Sequence, residues 1–359
     1  MRAAILKGLH EQLEVRDDVT LNAPGPREVK VRIAASGVCR SDISVQDGTL
    51  PQPTPVVLGH EGAGEIAELG EGVTGLSVGD HVIISWVPMC GHCRFCIEGQ
   101  PNLCNAFLET AISSPKFSVD GQPILGMAGT GTFAEETVIP VEAAIPIPAD
   151  VPMDVASLIG CGVMTGVGAA LNTAKVTPGS SVVVIGCGGV GISVIQGARI
   201  AGAAEIIAVD VFEPKLELAR DFGATHAVTP QDLPGLQVQL TEGLGFDYAF
   251  EVIGRPETIR SAYDATRRGG TTVVVGAGRM DAMVPFSAFE LFYMEKSLMG
   301  CWYGSADTRR DFPRLLKLWR AGKLDLEGMI TRRIDLSEIN DAFEACEKGE
   351  VIRSVIEFK

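Results

Sequence analysis

The sequence has few aromatic side chains and fewer basic than acidic ones. Aromatic residues make up 6% of 359, and 30 Lys plus Arg stand against 45 Asp plus Glu, a formal net charge of −15. An acidic surface repels phosphate backbones and anionic lipids, so nucleic-acid and membrane partners are not expected. The 42 glycines fit many tight turns better than an all-β core.

A long uninterrupted apolar run is also missing. The most apolar region, 182–209, contains six glycines together with Gln196, Arg199 and Glu205. It therefore predicts a buried strand–helix–strand unit rather than a membrane span. Residues 1–7 are followed by polar sequence, so we expect no secretory signal and a cytoplasmic location. Thiols stay reduced there, and the nine cysteines need a role other than disulfides.

The residue pattern changes near position 163. Before it, short alternating runs such as 29–33, with turns at 24–26, 70–72 and 79–80, predict short strands. Beyond it, predicted strands alternate with helices that end near 201 and span 215–222. These strands are 181–185, 205–210, 226–229, 247–250, 271–275 and 297–300. The alternation predicts an α/β fold with a doubly wound parallel sheet, followed by a helix at 309–321 and a strand at 351–358.

Four of the nine cysteines fall within 15 residues, at Cys90, Cys93, Cys96 and Cys104. Four thiolates at this spacing can converge on one tetrahedral zinc ion. Spacing alone also leaves an iron–sulfur cluster open. A four-cysteine zinc site has no free coordination position, so we expect a structural role for it. His92 is expected to be an exposed bystander.

Cys39, His60 and Cys161 lie in three separate glycine-containing segments. Taken singly, each is more often an ordinary packed residue. Together, two thiolates and one imidazole form the ligand set of a catalytic zinc, with one position left for water or substrate.

A glycine-rich loop follows the strand predicted at 181–185. Gly186, Gly188 and Gly191 form a Gly-x-Gly-x-x-Gly pattern, and the next strand ends in Asp210, 19 residues beyond Gly191. This context is typical of dinucleotide binding, with the pyrophosphate at the helix N-terminus. The Asp210 carboxylate can accept from ribose hydroxyls and would repel a 2′-phosphate. A glycine turn in a non-binding α/β domain is the alternative.

In combination and order, these segments resemble the zinc-dependent medium-chain alcohol dehydrogenases over nearly the whole chain. The likeness rests on GVCRSD at 37–42, GHEG at 59–62, the four-cysteine segment, LIGCG at 158–162, TG at 165–166, VIGCGGVG at 184–191, FEVIG at 250–254 and GEVIR at 349–353. The resemblance implies a split, β-rich GroES-like catalytic domain of residues 1–162 and 303–359. It also implies a Rossmann NAD-binding domain of residues 163–302 and an active site in the cleft.

The resemblance assigns roles to individual residues. It implies that Cys39, His60 and Cys161 bind a catalytic zinc, with Glu61 as a transient ligand, and that the four clustered cysteines bind a structural one. Asp42 would orient His60, and Ser41 would take the alcohol proton. The implied NAD contacts are Arg40 and Arg353 on the pyrophosphate, Asp210 and Lys215 at the adenosine ribose, Thr165 at the nicotinamide, and Gly186, Gly188, Gly189, Val190, Gly191, Ile253 and Val275. For Arg353, a solvated surface position is the alternative.

Two features of the chain depart from this pattern. Animal liver-type members have a His three residues after the relay Ser, where this chain has Ser44. The proton would then reach solvent through Ser44, a ribose hydroxyl and water. The substrate pocket implied by the resemblance consists of Ser41, Trp86, Met127, Ala277 and Trp302. Two indoles would narrow the cleft, unless they pack away from it.

The expected function is reversible oxidation of alcohols, primary ones favoured, to aldehydes or ketones with hydride transfer to NAD. A glutathione-dependent formaldehyde dehydrogenase and a polyol dehydrogenase are alternative functions for the same fold. A non-enzymatic NAD(P)H-binding member would lack zinc ligands, yet all three are present. We expect a homodimer, with a homotetramer as the alternative. The strand at 297–300 would be a sheet edge, and the segment 105–126 is longer than in many tetrameric microbial members.

Overall fold

The structure is a computed structural model that describes residues 1–106 and 114–359. These residues group into two compact units. The first comprises Met1–Gly162, Asp307–Trp319 and Leu326–Lys359, and the second comprises Val163–Ala306 and Arg320–Asp325. The domain limits expected from the sequence stay a prediction, and residues 303–306 and 320–325 group with the second unit.

The strands and helices are short and numerous. In chain order, the strands are β1 Ala3–Leu6, β2 Glu14–Arg16, β3 Thr20–Leu21, β4 Glu28–Val38, β5 Val56–Val57, β6 Glu61–Leu69, β7 His81–Ile84, β8 Phe117–Val119, β9 Gln122–Gly126, β10 Glu136–Pro140, β11 Ala144–Pro146, β12 Ser181–Ile185, β13 Glu205–Val209, β14 His226–Val228, β15 Phe246–Glu251, β16 Thr266–Val274, β17 Ser297–Gly300, β18 Ile330–Ile334 and β19 Arg353–Glu357. The described α-helices are α1 Arg40–Gln46, α2 Arg94–Ile97, α3 Met153–Leu158, α4 Met164–Gly168, α5 Gly189–Ala201, α6 Glu213–Asp221, α7 Leu233–Thr241, α8 Pro256–Ala265, α9 Ala288–Met294, α10 Thr308–Arg320 and α11 Ile339–Glu347.

The first unit is built on two mixed sheets. One has the strand order β2-β1-β5-β9-β8-β3, and the other has the order β11-β7-β6-β4-β19-β18, with β10 also pairing with β4. The long strand β4 contributes one covered face to the core of this unit. Its alternate residues Val29, Val31 and Ile33 are buried there, as expected for a strand with one face covered. A second core of this unit packs α11 against the sheet residues Val38 and Ile356.

The second unit is built on one parallel sheet with the order β14-β13-β12-β15-β16-β17. Its strands are short apolar runs, and Val183, Ile207 and Phe246 are buried between sheet and helices. The strand order reverses at β12, which pairs in parallel with β13 on one side and β15 on the other. Ligands of doubly wound sheets bind at this reversal, beyond the carboxyl ends of the strands. The predicted α/β fold class is confirmed.

One helical stretch, Met153–Thr173, has the length and composition needed to cross a membrane. In the structure, 83% of its most apolar window is buried inside the protein, as in the core helix of a globular fold. Two of its segments, Ile159–Val163 and Ala169–Thr173, are π-helical, which the sequence did not predict.

Candidate active site

The carboxylate of Asp42 organises the start of α1 and the segment before β6. Asp42 is buried, and its Oδ2 accepts a hydrogen bond from the backbone N–H of Cys39 at 2.8 Å. Its Oδ1 accepts from Nδ1 of His60 at 3.0 Å and from the backbone N–H of Gly59 at 3.2 Å. With Nδ1 bound in this way, Nε2 is the ring nitrogen left for a metal.

Four buried ligand groups converge next to Asp42. Ligand atoms of Cys39, His60, Glu61 and Cys161 all lie within 4.8 Å of one another. Cys161 lies in the π-helical segment Ile159–Val163. Glu61 begins β6, and its Oε1 accepts from the backbone N–H of Gly162 at 2.9 Å. The four residues come from three separate segments of the chain, because His60 and Glu61 are consecutive.

The chemistry of this ligand set fits a cation. Oε2 of Glu61 is buried and has no hydrogen-bond partner among the described residues. Hydrogen bonding from Cys161 holds the pKa of Cys39 well below its usual value. Burial alone would lower the pKa of His60, but the charge and hydrogen bond of Asp42 raise it well above its usual value. Thiolate and imidazole ligands in this number suit zinc.

Arg353 lies beside these ligands. Its guanidinium is buried, and Nη2 lies 3.3 Å from Oε1 of Glu61. Burial raises the pKa of Glu61 to about 8, although the charge of Arg353 opposes this. A Cβ atom at Gly162 would lie 1.7 Å from Nη2 of Arg353, so only glycine leaves room for the pair. The alternative of a solvated Arg353 is wrong, and its contact with the pyrophosphate stays a prediction.

Two side chains predicted to face the substrate lie next to the ligand set. Oγ of Ser41 is 3.7 Å from Sγ of Cys39. The Trp86 and His60 rings meet edge to face, with centroids 6.3 Å apart and planes at 88°. Met127 is buried in a turn just before Thr132, whose backbone N–H donates to the carbonyl of Gly59 at 2.9 Å. The roles of Ser41, Trp86 and Met127 in a pocket stay predictions.

The four clustered cysteines form a second ligand set in the first unit. All four sulfur atoms lie within 4.8 Å of one another. The Cys90–Cys96 and Cys93–Cys104 sulfur pairs are 4.0 and 3.9 Å apart, too far for a disulfide bond of about 2.05 Å. A tetrahedron with zinc–sulfur bonds of about 2.3 Å has sulfur–sulfur edges of about 3.8 Å. The cluster therefore has the dimensions of a four-cysteine zinc site.

Backbone N–H groups support the thiolates of this cluster. Cys93 N–H donates to Sγ of Cys90 at 3.3 Å, and Cys90 N–H donates to Sγ of Cys104 at 3.3 Å. Hydrogen bonds from the backbone of Cys96 and Asn105 lower the pKa of Cys93 to about 6. Burial raises the pKa of Cys96 to about 12. A bound cation lowers the pKa of coordinating thiols, so zinc at this position would favour their thiolate form.

The glycine loop of the second unit lies at the reversal of strand order. Gly186 has a φ of 103°, and a Cβ atom at Gly191 would lie 1.8 Å from the Gly186 carbonyl oxygen. A Cβ atom at Gly188, the N-cap of α5, would meet nothing within 4 Å. An open surface beside the positive end of a 13-residue helix suits a pyrophosphate. Gly189 and Val190 form the first turn of this helix.

The Asp210 carboxylate is fixed by backbone donors. Oδ2 accepts from Cys187 N–H at 2.7 Å, and Oδ1 accepts from Val211 N–H at 2.8 Å and Phe212 N–H at 3.1 Å. Nζ of Lys215 lies 5.1 Å from the centre of the Phe212 ring. Asp210 therefore links the end of β13 to the glycine loop, a connection that its position in the sequence did not reveal.

The buried carboxylate of Glu251, at the end of β15, was not among the residues predicted from the sequence. Its Oε1 accepts from Ile253 N–H at 2.9 Å, Gly254 N–H at 2.8 Å and the Thr258 hydroxyl at 2.7 Å. Its backbone carbonyl accepts from Val275 N–H at 2.8 Å. Glu251 thus sets the turn that carries the predicted cofactor residues Ile253 and Val275. The FEVIG motif at 250–254 was a signal that could have revealed it.

Other predicted residues are not brought to these sites by any described contact. Arg40 is exposed and lies between Asp47 and Glu347. In the second unit, Thr165 is half-buried, Ala277 is exposed and Trp302 is 46% exposed. Their predicted roles toward NAD or substrate stay predictions.

Comparisons with known proteins agree with this architecture. Residues 25–149 match the family described as "Alcohol dehydrogenase GroES-like domain", and residues 189–321 match "Zinc-binding dehydrogenase". An alcohol dehydrogenase class-3 of Drosophila melanogaster is 39% identical, covering 96% of this chain and 94% of its own. An S-(hydroxymethyl)glutathione dehydrogenase of Escherichia coli is 39% identical and covers 99% of both chains. The crystal structure of benzyl alcohol dehydrogenase from Acinetobacter calcoaceticus is 33% identical, with a TM-score of 0.92 over 100% of this chain and 99% of its own.

A doubly wound parallel sheet and a GroES-like unit with a cysteine–histidine ligand set define a two-domain α/β oxidoreductase. The chain belongs to the zinc-dependent medium-chain alcohol dehydrogenase family, and it is an enzyme that acts on CH–OH donors of small molecules. NAD and zinc are the cofactors of this family. The family, fold class and reaction class expected from the sequence are confirmed.

Proposed function

We propose that this protein oxidises uncharged primary alcohols, linear or aromatic, with NAD as hydride acceptor, and catalyses the reverse reduction. The observation that carries the proposal is the buried convergence of Cys39, His60, Glu61 and Cys161 within 4.8 Å, with the Ser41 hydroxyl 3.7 Å from the Cys39 sulfur. Such a set holds a Lewis acid beside a group that can take a proton.

In this proposal Cys39, His60 and Cys161 hold the catalytic zinc, and Cys90, Cys93, Cys96 and Cys104 hold a structural zinc. A zinc ion held by these ligands would supply Lewis-acid polarisation of the alcohol hydroxyl, and bound NAD would supply the hydride acceptor. Glu61 is close enough to the ligand atoms to serve as a transient ligand. Arg353 offsets part of the negative charge that two thiolates and a carboxylate place in a buried site.

The side chains of the first unit position and deprotonate the substrate. Asp42 fixes the ring of His60, and Ser41 takes the hydroxyl proton. Ser44, which is buried on the same helix α1, is proposed to pass the proton on to solvent together with a ribose hydroxyl and water. Trp86, edge-on to His60, forms a flat wall beside the reacting carbon.

NAD would be held by the second unit. Gly186, Gly188, Gly189, Val190 and Gly191 offer backbone N–H groups to the pyrophosphate, and Asp210 accepts from the adenosine ribose with Lys215 beside it. Thr165 is a proposed nicotinamide contact, and Ile253 and Val275 are further proposed NAD contacts. From the first unit, Arg40 and Arg353 are proposed to contact the pyrophosphate. The pre-oriented carboxylate of Asp210 supports NAD over NADP, because a 2′-phosphate would face its charge.

A second candidate is oxidation of S-(hydroxymethyl)glutathione, the activity that names the relative from Escherichia coli. That substrate carries two carboxylates and needs cationic partners. Two segments, residues 47–55 and 127–133, lie beside the His60 segment. They meet where the backbone N–H of Ala128 donates a hydrogen bond to Gln52 at 3.5 Å. Neither segment contains a Lys or Arg residue. These observations favour uncharged alcohols.

The test is a substrate panel with NAD, read by NADH absorbance. It compares benzyl alcohol and linear primary alcohols with secondary alcohols, polyols and formaldehyde plus glutathione. We expect the highest kcat/KM with primary alcohols. A Cys161→Ser variant should lose activity, whereas Cys346→Ser, the same change at a cysteine outside both ligand sets, should keep it. A higher kcat/KM for the glutathione adduct would favour the second candidate, and no turnover with any alcohol would contradict the proposal.

We also propose that the chain forms a homodimer through the edge of the second unit, with a homotetramer as the alternative. All four residues of β17 are exposed, and α9 has no buried residue. Phe289 and Phe292 on α9 are 69% and 80% exposed, a concentration of apolar surface that marks association sites. Part of the segment 105–126, whose length also favoured a dimer, lies outside the described residues. Light scattering of the purified protein measures the subunit number.

A cytoplasmic location is proposed as well. All nine cysteines are free, and the clustered ones are too far apart for disulfide bonds. Thiols of this number persist in reducing compartments. Fractionation of the source cells, with the protein detected by antibody, tests this proposal.

A further inference from the structure

The segment 85–89 of the first unit connects a ring beside His60 to the four-cysteine cluster. Trp86, near its start, meets the ring of His60 edge to face, with centroids 6.3 Å apart. Cys90 follows the segment directly, and its backbone N–H donates to a sulfur atom of the cluster at 3.3 Å. Met89 is therefore the last residue before the cluster and lies three positions after the indole.

This segment is buried although it belongs to no strand or helix. Strand β7 ends at Ile84, after which Ser85 and Val87 are fully buried and Met89 is 3% exposed. The Ser85 hydroxyl donates to the carbonyl of Val87 at 3.0 Å and so closes a tight turn around Trp86. Buried backbone outside regular structure needs partners for its polar groups. The contacts at the far end of the segment therefore help to fix its path.

The far end contacts the first two residues of α10, which belong to the same unit. The buried hydroxyl of Thr308, 219 positions further along the chain, donates to Sδ of Met89 at 3.5 Å. Nη2 of Arg309 donates to the carbonyl of Met89 at 3.2 Å. Methionine is unbranched and flexible, so its own packing defines its position poorly. Two donors on one helix restrain both its side chain and its backbone.

The start of α10 is itself held by hydrogen bonds. Oδ2 of Asp311 accepts from the backbone N–H of Asp307 at 2.9 Å, and the backbone N–H of Asp311 donates to the carbonyl of Asp307 at 2.7 Å. Asp311 is 1% exposed, and the guanidinium of Arg310 donates to both of its carboxylate oxygens at 2.9 Å. Bidentate, charge-assisted pairs are strong and directional. Thr308 and Arg309 therefore present their donors from a fixed helical turn.

We infer that Thr308 and Arg309 are positioning residues for Trp86. By fixing Met89, they keep the indole against the ring of His60. A displacement at Met89 reaches the indole through three residues of buried chain, because a close-packed interior transmits strain. The consequence for substrate choice rests on the proposed function, in which Trp86 forms a wall beside the reacting carbon. An indole released from His60 would widen the pocket and admit bulky secondary alcohols.

Each of the two anchors is a single hydrogen bond, so the loss of either should have a moderate effect. The net contribution of one hydrogen bond corresponds to about a two- to tenfold change in an equilibrium constant. The ratio of released to held Trp86 should rise by such a factor when a donor is removed. The kcat/KM for bulky secondary alcohols, relative to primary ones, should rise with it. Because a thioether is a weak acceptor, loss of the Thr308 hydroxyl should have the smaller effect.

The experiment compares two variants that each remove one donor, Thr308→Val and Arg309→Met, with two matched controls. Thr308→Ser keeps the hydroxyl. Arg94→Met removes an exposed guanidinium near the cysteine cluster, which pairs with Glu98 at 2.8 Å. All proteins are zinc-loaded and full-length, and their zinc content and melting temperature are measured.

Acrylamide quenching of tryptophan fluorescence measures release of the indole. Trp86 is half-buried, and its signal is the difference between each protein and its Trp86→Phe counterpart. The alcohol panel gives the ratio of kcat/KM for secondary and primary alcohols. We expect stronger quenching and a higher ratio for Thr308→Val and Arg309→Met, and wild-type values for Thr308→Ser and Arg94→Met, with unchanged zinc content in all four.

Unchanged quenching in Thr308→Val and Arg309→Met would overturn the inference even if both variants melted earlier, because a merely structural role lowers stability without releasing the indole. An equal increase in Arg94→Met would also contradict it. If Thr308→Val does not fold, the exposed Arg309 carries the test. Stronger quenching with an unchanged alcohol ratio would overturn the role in substrate choice. If wild type oxidises no alcohol, the proposed function fails, and quenching still decides whether the two residues position Trp86.

Discussion

The carboxylate of Asp42 accepts a hydrogen bond from Nδ1 of His60 at 3.0 Å, inside a site where both side chains are buried. The same carboxylate also accepts from the backbone of Cys39 and of Gly59. One side chain thus fixes the ring of one ligand and the backbone that carries a second. Burial raises the pKa of Asp42, and the nearby His60 opposes this rise.

We expect Asp42→Asn to lower kcat/KM and zinc affinity by about 10- to 100-fold, the usual effect of losing the partner of a metal-ligating His. The amide keeps the size of the side chain but loses the charge that supports His60. Alcohol oxidation and zinc content of the purified variant measure the two effects. Asp341→Asn, on the exposed face of α11, is the control. Wild-type values for Asp42→Asn would show that the contact does not matter for the metal.

Asp210 should determine the choice between NAD and NADP. We expect wild type to favour NAD by at least about tenfold in kcat/KM, or about 1.4 kcal/mol, and Asp210→Gly to shift the preference toward NADP. Because Asp210 also binds the backbone of Cys187, the variant should lose efficiency with both cofactors. Kinetics with each cofactor test this. The prediction fails if wild type already favours NADP, and Asp221→Asn, at the end of α6, controls for removal of one acidic charge.

The two cysteine sites should have separable roles. Cys161→Ser should abolish turnover but leave a folded protein with about one zinc per chain, because the remaining site is closed. Cys93→Ser should lower the melting temperature or cause aggregation, because metal binding contributes to folding where no site exists in the unfolded chain. Metal analysis and melting curves of both variants test this. One zinc in the unmodified protein, or a stable and active Cys93→Ser, would contradict the assignment.

The indole of Trp86, edge-on to His60, should limit the width of the substrate. Linear and aromatic primary alcohols should be better substrates than bulky secondary ones, and Trp86→Ala should raise kcat/KM for the secondary ones. Trp302→Ala should act in the same direction if Trp302 lines the pocket. Relative kcat/KM values over an alcohol series measure this. If bulky secondary alcohols are already the best substrates of wild type, the pocket is not narrow.

Asp335 should stabilise the first unit in a pH-dependent way. Hydrogen bonds from Ser337 and from Arg2 lower the pKa of Asp335 to about 2, from a usual value of 3.8. Because the folded-state pKa is the lower one, the stabilisation is present above about pH 4 and is lost as the pH falls through 2. Asp335→Ala should lower the free energy of unfolding by about 1 kcal/mol at neutral pH, which is the usual effect of losing a helix cap. Melting curves should show a lower melting temperature for the variant than for wild type at pH 7, and this difference should become smaller toward pH 3. A difference in melting temperature that stays constant with pH would contradict the prediction.

The sequence predicted the second unit better than the first. The strand expected at 297–300 agrees with β17, and the strand expected at 181–185 agrees with β12. Alternation of apolar strands with glycine loops is a local signal, so it is visible in the sequence. By contrast, β4 continues to Val38, beyond the expected end at 33, through the small residues Ala34–Ala35–Ser36–Gly37. The extension of β4 depends on its pairing with β6 and β19. Local strand propensity does not predict such tertiary contacts.

Within the site, the residue types were predictable but their contacts were not. Cysteine and histidine in glycine-rich segments indicated a metal, and the structure brings Cys39, His60 and Cys161 together. The burial of Arg353 against Glu61 joins residues far apart in the chain, and no local pattern predicts which arginine is buried. Likewise, only the fold shows that Asp210 holds the glycine loop.

The π-helical turn at Ile159–Val163 has a consequence for how the chain can tolerate changes in length. A π-turn accommodates one residue more than an α-turn, and each residue of an α-helix advances the side-chain direction by about 100°. Removing a single residue here would let the helix close as an ordinary α-helix, with its hydrogen bonds intact, while the thiol of Cys161 pointed away from His60. The ligand geometry therefore depends on the register of this helix, so a one-residue deletion in this segment should displace the Cys161 thiol even where Cys161 itself is kept.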